Sequence, residues 1–305
     1  MTSSAIGGIP HVLGGNVFGW SADEATSFAI LDAFVAGGGS MIDTADVYSA
    51  WVPGHKGGES EALIGKWLKA SGKRGSVRIA TKVGMLPGVG GENLAPARIA
   101  AACEESLDRL GIEQIDLYYA HRDDADTSQE AVAEAFDKLI RSGKVATLGA
   151  SNFTAARLKS ALALGTPYAV LQPEYNLVSR GEYEGALQDL AVARELDVLP
   201  YYGLASGFLT GKYRDTGTAP SGNRSATALK YLDDRGRAVL AAMDSVAAET
   251  GASLAQVALA WLRAQPGIVA PIASATSVAQ VEQLIAGARL NLTTSQLATL
   301  DAAGV

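Results

Sequence analysis

The sequence predicts an α/β protein folded as a (β/α)8 barrel, the TIM-barrel architecture, with residues 1–305 forming a single domain. Three observations support this. Short apolar segments alternate with amphipathic helical segments, eight such pairs fit within 305 residues, and no linker or low-complexity stretch divides them. Many of the apolar segments are near-continuous runs of Val, Ile, Leu and Ala, which is typical of parallel strands covered on both faces.

Eight segments share this apolar character and are predicted to be the strands. They are residues 14–19, 40–45, 77–84, 115–121, 144–151, 168–175, 197–203 and 267–274. A doubly wound open sheet is the alternative fold. The turn after the first predicted strand, "GGNVFGW", lacks the GxGxxG spacing that such a dinucleotide-binding sheet would require, so the barrel is favoured.

The intervening helices begin at residues that commonly start or cap helices. The candidates are Ser21, Pro96, Thr127 with Glu130, Ser253 with Gln256, and Ser277 with Gln280. The interval between the last two strands is the longest and is rich in Gly, Thr, Ser and Asp. It predicts a long loop over about 207–235, of the kind that often forms a lid or a binding segment.

Composition excludes several classes of function. The net charge of −7 argues against a nucleic-acid partner. One cysteine, Cys103, and three histidines argue against disulfides and a metal centre. The first residues lack a signal-peptide pattern and no apolar run is long enough for a membrane span, so we expect a cytoplasmic protein without a membrane partner. The sequence carries no signal for an oligomeric state.

Polar side chains close the predicted strands, and in a barrel the carboxyl ends of the strands form the active face. They are Asp43 with Asp46 and Tyr48, Lys82, His121, Ser151 with Asn152, Gln172 with Glu174, and Tyr201. Each has a structural explanation when taken singly, as a loop cap, a rim ion pair or a packing residue. Their joint occurrence at one rim indicates a functional site.

Four of these residues would form a device for protonating an oxyanion if they converge. A phenol with a pKa near 10 is a weak proton donor at neutral pH. A lysine beside Tyr48 would stabilise its phenolate and lower its pKa, and an aspartate paired with that lysine would keep it charged. A histidine near the phenol could orient a carbonyl oxygen. Hydride addition to a carbonyl needs this equipment.

Asp43, Tyr48 five residues later, Lys82 in "IATKVG" and His121 in "IDLYYAHRDD" together resemble the aldo-keto reductase family. The similarity runs nearly end to end. It includes "HVLGGNVFGW", "ASNFTAARL", "LQPEYNLVSR", "LASGFLTGKYR" and "PIASATSVAQVEQL". The resemblance implies a (β/α)8 barrel that reduces aldehydes and ketones with NADPH or NADH and has no Rossmann domain.

The resemblance implies that Tyr48 is the proton donor, Lys82 the partner that lowers its pKa, Asp43 the acid that holds Lys82, and His121 the residue that orients the carbonyl. It selects Asp43 over Asp46, which is predicted to hydrogen-bond within its loop. The pocket for a small-molecule substrate is predicted to be bordered by Trp20, Trp51 and the 207–235 loop. Its aromatic walls would suit apolar or amphiphilic carbonyl compounds. Trp51 anchoring its own loop is the alternative.

The cofactor site implied by the resemblance spans several loops, with NADPH preferred and NADH possible. It comprises Gly15, Asn16, Ser151, Asn152, Gln172, Tyr201, Leu204, Ser206, Gly207, Leu209, Lys212, Ser274, Thr276 and Gln280. Ser151, Asn152 and Gln172 are implied to bind the nicotinamide carboxamide and Tyr201 to stack on its ring, with Tyr202 as a rival. Many relatives have an arginine in place of Thr276 for the 2′-phosphate of NADP, so this position departs from their pattern.

Two further hypotheses stay open at this point. The first is a barrel lyase that uses Lys82 as a Schiff-base amine. Pairing with an aspartate argues against it, since that pairing holds the lysine protonated. The second is an interaction protein resembling potassium-channel β subunits, which share the fold and bind the nucleotide. Tight nucleotide binding without turnover would favour that hypothesis.

Overall fold

The structure, a computed structural model, describes residues 6–86, 92–215 and 225–304. Eight strands in these residues form a parallel sheet. They are β1 (Val12–Gly14), β2 (Met41–Asp43), β3 (Arg78–Val83), β4 (Leu117–Ala120), β5 (Leu148–Ser151), β6 (Tyr168–Gln172), β7 (Asp197–Val198) and β8 (Ile272–Ala273). The order across the sheet is β7-β6-β5-β4-β3-β2-β1-β8.

The sheet closes on itself between its two ends. Val198 of β7 forms a parallel bridge with Ile268, ahead of β8. Its amide donates to the Gly267 carbonyl at 3.2 Å, and its carbonyl accepts from the Val269 amide at 2.9 Å. Closure removes the open sheet edges. The predicted (β/α)8 barrel is therefore confirmed.

Helices cover the outside of this barrel. They are α1 (Glu24–Ala36), α2 (Glu59–Ser71), α3 (Pro96–Leu110), α4 (Gln129–Arg141), α5 (Ala155–Ala163), α6 (Ala186–Ala193), α7 (Ser225–Leu229), α8 (Asp234–Thr250), α9 (Leu254–Arg263), α10 (Val278–Arg289) and α11 (Thr294–Ala303). Within the described ranges, none of them is long and apolar enough to cross a membrane.

Helix starts followed the sequence at three predicted positions. Pro96 begins α3, Ser253 forms a full capping box with Gln256, and the Ser277 side chain caps α10 by accepting from the Gln280 amide. The other two predicted starts were wrong. Asp23 caps α1 in place of Ser21, and Ser128 caps α4, while the Thr127 hydroxyl donates to Asp124 in the preceding loop.

Two predicted segments also need correction. The first strand ends at Gly14, where 14–19 was predicted, because the chain beyond Gly15 folds into consecutive turns. The long loop predicted over 207–235 contains part of a 3₁₀ segment at Ala205–Thr210, the helix α7 and the start of α8. Residues 216–224 of that prediction lie outside the described residues.

Strand alternation decides which side chains face the barrel interior. The inner apolar cluster includes Val12, Met41, Ala80, Leu117, Val170 and Leu199. Two positions further along four of these strands, on the same face, lie Asp43, Lys82, Tyr119 and Gln172. The interior is thus an apolar plug near the amino ends of the strands, with a polar layer above it at the carboxyl ends.

Candidate active site

The polar layer brings together an ion pair that solvent does not reach. The Lys82 ammonium lies 2.5 Å from Asp43 Oδ1, and the two side chains are 0% and 3% exposed. The second Asp43 oxygen accepts from the Gln172 amide at 2.9 Å. Both carboxylate oxygens therefore have partners, as a buried charge requires.

The ammonium of Lys82 reaches three acceptors. Besides Asp43 it donates to the backbone carbonyl of Thr44 at 2.7 Å and to the hydroxyl of Tyr48 at 3.3 Å. Tyr48 does not come from a strand, since it lies in the segment between β2 and α2. The structure thus gathers Asp43, Tyr48 and Lys82 into one hydrogen-bonded chain.

Burial and charge oppose each other at Lys82 and at Tyr48. At Lys82, burial lowers the pKa, but Asp43 and Tyr48 raise it by more than burial lowers it. The net direction is upward, so the ammonium is held charged. At Tyr48, burial raises the pKa of the phenol and the charge of Lys82 lowers it, and the net direction is upward. Lys82 therefore acts on the pKa of Tyr48 in the expected direction, and burial outweighs it.

His121 follows β4 and stands beside the phenol. Its ring centroid lies 6.1 Å from that of Tyr48 in an edge-on arrangement, and the residue is 8% exposed. Burial lowers the pKa of His121 well below its ordinary value, and the Lys82 and Arg122 charges add to this. The imidazole is therefore neutral at physiological pH, able to hydrogen-bond an oxygen without carrying charge.

A second cluster of polar groups lies next to the ion pair. The Ser151 hydroxyl donates to the Gln172 carbonyl at 2.8 Å, and the Asn152 amide donates to the His121 carbonyl at 2.8 Å. The Tyr201 hydroxyl donates to Asn152 Oδ1 at 2.7 Å. Asn152 adopts a left-handed backbone with φ of 55°, uncommon outside glycine. Such strain often accompanies a functional site.

Glycines at the end of β1 let the backbone pack closely. A Cβ at Gly14 would approach Ser274 Oγ to 2.6 Å, and one at Gly15 would approach the Asp43 carbonyl to 3.0 Å. The Ser274 hydroxyl donates to Asn16 Oδ1 at 2.6 Å. The predicted cofactor residues Gly15, Asn16 and Ser274 thus lie together, next to the strand that carries Asp43.

The amino end of α10 presents its own polar cluster. Gln280 Oε1 accepts from the Thr276 amide at 2.8 Å and from its hydroxyl at 3.2 Å. The Ser277 hydroxyl accepts from the Gln280 amide at 3.3 Å. The donors of Thr276 therefore face the side chain of Gln280.

The segment after β7 turns tightly through a 3₁₀ stretch, Ala205–Thr210. Ser206 and Gly207 have φ of 56° and 93°, and the Gly207 amide donates to the Leu204 carbonyl at 2.8 Å. Leu209 is fully buried, which anchors the turn in the core. A Cβ at Gly207 would lie 3.4 Å from the Lys212 ammonium, so that cation sits directly against the turn.

An aromatic wall stands beside Tyr48. The Trp51 ring lies 5.8 Å from the Tyr48 ring and 5.5 Å from the Trp20 ring, both edge-on. Trp51 is 46% exposed, which is unusual for so large an apolar group. The structure thus brings both predicted substrate residues to the tyrosine side of the ion pair.

Comparison with known proteins identifies the family to which the chain belongs. The aldo/keto reductase family matches residues 11–304, almost the whole chain. The chain belongs to the aldo/keto reductase family. It is therefore an NAD(P)H-dependent oxidoreductase that acts on carbonyl compounds, and its cofactor is a nicotinamide nucleotide.

Individual members of the aldo/keto reductase family are similar over their length. Aldo-keto reductase str7 of Strobilurus tenacellus is 33% identical over 299 residues, covering 96% of this chain and 85% of its own. Aldo-keto reductase YhdN of Bacillus subtilis is 32% identical, with 95% and 87% covered. Aldo-keto reductase yakc of Schizosaccharomyces pombe, named for NADP(+), is 30% identical, with 90% and 81% covered.

Several residues around the site of this aldo/keto reductase were missed from sequence. Tyr119 is fully buried with its ring 5.8 Å from the Lys82 ammonium, and Gly149 gives it room, since a Cβ there would come within 2.3 Å of that ring. Its position two residues before His121 was the available signal. The Thr44 carbonyl gives no sequence signal. Asp46, expected to hydrogen-bond within its loop, pairs with Arg98 of α3 at 2.9 Å.

Proposed function

We propose that this aldo/keto reductase reduces aldehydes or ketones to alcohols with NADPH as its preferred cofactor, and that Tyr48 donates the proton. The observation that carries the proposal is the buried chain from Asp43 through Lys82 to the Tyr48 hydroxyl, with contacts of 2.5 and 3.3 Å. The bound nicotinamide supplies the hydride.

The proton step follows from the charges on the chain's own residues. Burial raises the pKa of Tyr48, so the phenol holds its proton until a carbonyl oxygen gains negative charge. When Tyr48 donates that proton, the phenolate that forms lies next to the Lys82 ammonium. Asp43 keeps that ammonium charged and fixed in place. Stabilisation of charge that develops only in the transition state is what accelerates the step.

His121 would orient the substrate. Its neutral imidazole stands beside Tyr48 and can donate a hydrogen bond to the carbonyl oxygen. Held between His121 and Tyr48, that oxygen has two polar partners. Trp20 and Trp51 border the same space, and their rings suit apolar or aromatic carbonyl compounds.

The residues present fit a nicotinamide nucleotide. Ser151 and Asn152 offer amide and hydroxyl groups for the carboxamide, and the Tyr201 ring beside them offers a stacking face. Gly207 carries no side chain, so a phosphate could approach the turn there, with the Lys212 ammonium adjacent to supply positive charge. The preference for NADPH rests on Lys212, on the amino end of α10 and on the NADP(+) in the name of the relative from Schizosaccharomyces pombe.

A lyase that uses Lys82 as a Schiff-base amine fits the site less well. An amine must lose its proton to attack a carbonyl, whereas Asp43 and Tyr48 raise the pKa of Lys82. Its ammonium is also fully buried and donates to three acceptors. We therefore retain carbonyl reduction as the function.

The experiment that tests this function follows the loss of reduced-nicotinamide absorbance. Wild-type protein is assayed with NADPH and with NADH against a panel of aromatic and aliphatic aldehydes, and the binding of each nucleotide is measured separately. Turnover that is faster with NADPH supports carbonyl reduction and the cofactor preference, and loss of turnover in Tyr48→Phe with nucleotide binding intact supports proton donation by Tyr48. Tight nucleotide binding without turnover of any carbonyl compound would favour an interaction protein, and faster turnover with NADH would overturn the cofactor preference.

A further inference from the structure

The segment that carries Tyr48 must be positioned by contacts outside the barrel sheet. It runs from the end of β2 at Asp43 to the start of α2 at Glu59 and contains no regular element. The Tyr48 amide donates to the Ala45 carbonyl at 3.1 Å, and the Tyr48 carbonyl accepts from the Gly58 amide at 2.9 Å. The Ser60 amide of α2 also donates to the Tyr48 carbonyl, at 3.4 Å, so α2 holds one side of the segment, but none of these bonds reaches α3.

Asp46 attaches the segment to α3 and to β3. Its backbone amide donates to the carbonyl of Lys82 at 3.2 Å, which ties it to the strand of the buried ammonium. Its side chain is fully buried, and Oδ2 accepts from Arg98 Nη2 of α3 at 2.9 Å. Asp46 thus links α3 to the Lys82 peptide, and Tyr48 follows it by two residues in the chain.

The buried pair of Asp46 and Arg98 is costly in free energy, because both charged groups lose their contact with water. Arg98 is 8% exposed, and among the described residues neither Asp46 Oδ1 nor Arg98 Nε has a hydrogen-bond partner. Burial and the nearby Glu61 carboxylate raise the pKa of Asp46 to about 7, against the opposing charges of Arg98 and Arg109. A buried pair with unsatisfied atoms adds little or nothing to stability compared with apolar residues, so stability does not account for its presence.

We propose that Asp46 is a positioning residue whose buried ion pair with Arg98 fixes the Asp43–Tyr48 segment against α3 and so holds the Tyr48 hydroxyl at Lys82. The inference rests on the proposed role of Tyr48 in carbonyl reduction. Misplacement of a reacting group by about 1 Å can lower a rate by about 100-fold, so a distant anchor can control the chemical step.

The chain offers a matched control in the same buried cluster. Glu61 of α2 is also fully buried and also pairs with an arginine, accepting from Arg109 Nε at 2.7 Å and from the Thr81 hydroxyl at 2.5 Å. It does not belong to the Tyr48 segment. Glu61→Gln therefore removes a buried carboxylate without releasing that segment, which separates general destabilisation from positioning.

The test compares Asp46→Ala, Asp46→Asn and Glu61→Gln in the carbonyl reductase assay. We expect Asp46→Ala to lower kcat by about 10- to 100-fold with little change in KM or in the Kd of the nucleotide. Its solvent deuterium isotope effect on kcat should increase, because proton donation becomes slower. Asp46→Asn, whose amide oxygen can still accept from Arg98, should recover part of kcat. Glu61→Gln should lower Tm and leave kcat and the isotope effect near wild type.

A double variant distinguishes loss of positioning from loss of stability. Asp46→Asn with Arg98→Gln removes both charges, so it should regain stability relative to either single variant. We expect its kcat to stay low, because the anchor is still lost. If folded Asp46→Ala or the double variant keeps kcat within about twofold of wild type, the positioning role is wrong and Asp46 is only structural. If wild type reduces no carbonyl compound, the proposed function has failed instead.

Discussion

The Lys82 ammonium and the Asp43 carboxylate lie 2.5 Å apart at the carboxyl ends of adjacent strands, where neither is exposed to solvent. Both side chains have further hydrogen-bond partners, since Asp43 also accepts from Gln172 and Lys82 also donates to Tyr48. Removal of one partner of a buried ion pair is strongly destabilising, whereas replacement of both partners often is not. The effects of substitutions on stability and on activity can therefore be predicted separately.

Lys82→Met should destabilise the protein and abolish its chemistry. Removal of the ammonium leaves the Asp43 carboxylate buried without its counter-charge, which destabilises the fold by roughly 3–5 kcal/mol. We expect kcat to fall by about 100-fold or more, since the Tyr48 phenolate loses its cation. Urea unfolding and steady-state kinetics measure the two effects. Lys138→Met, at an exposed pair with Glu134, should change stability by less than about 1 kcal/mol.

The double variant Asp43→Asn with Lys82→Met separates the two consequences. It should regain much of the stability lost by Lys82→Met, because no lone charge remains buried, and it should stay inactive. A double variant as unstable as Lys82→Met would show that the charge imbalance is not the cause of the loss.

Tyr201 should act through its ring more than through its hydroxyl. Tyr201→Phe loses the bond to Asn152 but keeps the stacking face, so we expect the Kd of NADPH to change by less than about threefold. Tyr201→Ala removes the face and should weaken binding by about tenfold. Nucleotide fluorescence titration measures both. Equal loss in the two variants would point to the hydroxyl and against stacking.

Trp51 should contribute to the selection of aromatic carbonyl compounds. We expect Trp51→Ala to raise KM for an aromatic aldehyde by about tenfold, because an exposed aromatic face next to Tyr48 is lost. KM for a short aliphatic aldehyde should change much less. Val192→Ala, at an exposed apolar residue on α6, is the control for general surface effects. An equal rise for both substrates would mean that Trp51 only anchors its loop.

Sequence patterns predicted the barrel well because its signals are local. Eight apolar segments separated by helices predicted the eight strands of the barrel. Strand alternation explains why Asp43 and Lys82 face the barrel interior, whereas the neighbouring Thr81 does not. The exact strand ends were harder to place. The first strand stops at Gly14 because the following turns, not a change in composition, end it.

The parts of the site that sequence missed depend on contacts between distant segments. Arg98 lies 52 residues from Asp46, and no spacing rule links a residue on α3 to a loop after β2. The Thr44 carbonyl that holds Lys82 is a backbone group common to every residue. The direction of the Tyr48 pKa depends on how deeply the phenol is buried, which requires the fold.

The fully buried His11 predicts how stability changes with acid. Burial lowers the pKa of His11 from 6.5 to about 4, so the unfolded chain binds a proton in that interval and the folded chain does not. Stability is therefore lost as pH falls from about 6.5 to about 4, and His11 contributes on the order of 3 kcal/mol of that loss. Urea unfolding across this range should show a shallower dependence for His11→Gln. Parallel curves for the two proteins would contradict the assignment.

The most direct test of the account is the hydride-transfer rate of Tyr48→Phe in a single turnover with bound NADPH. Tyr183→Phe is the matched control, since it removes another buried phenol whose hydroxyl donates to the Pro266 carbonyl, ahead of β8. We expect Tyr48→Phe to lower the rate by about 100- to 10,000-fold while NADPH binds as in wild type, and Tyr183→Phe to keep the wild-type rate. A Tyr48→Phe protein that transfers hydride within about threefold of wild type would contradict proton donation by Tyr48.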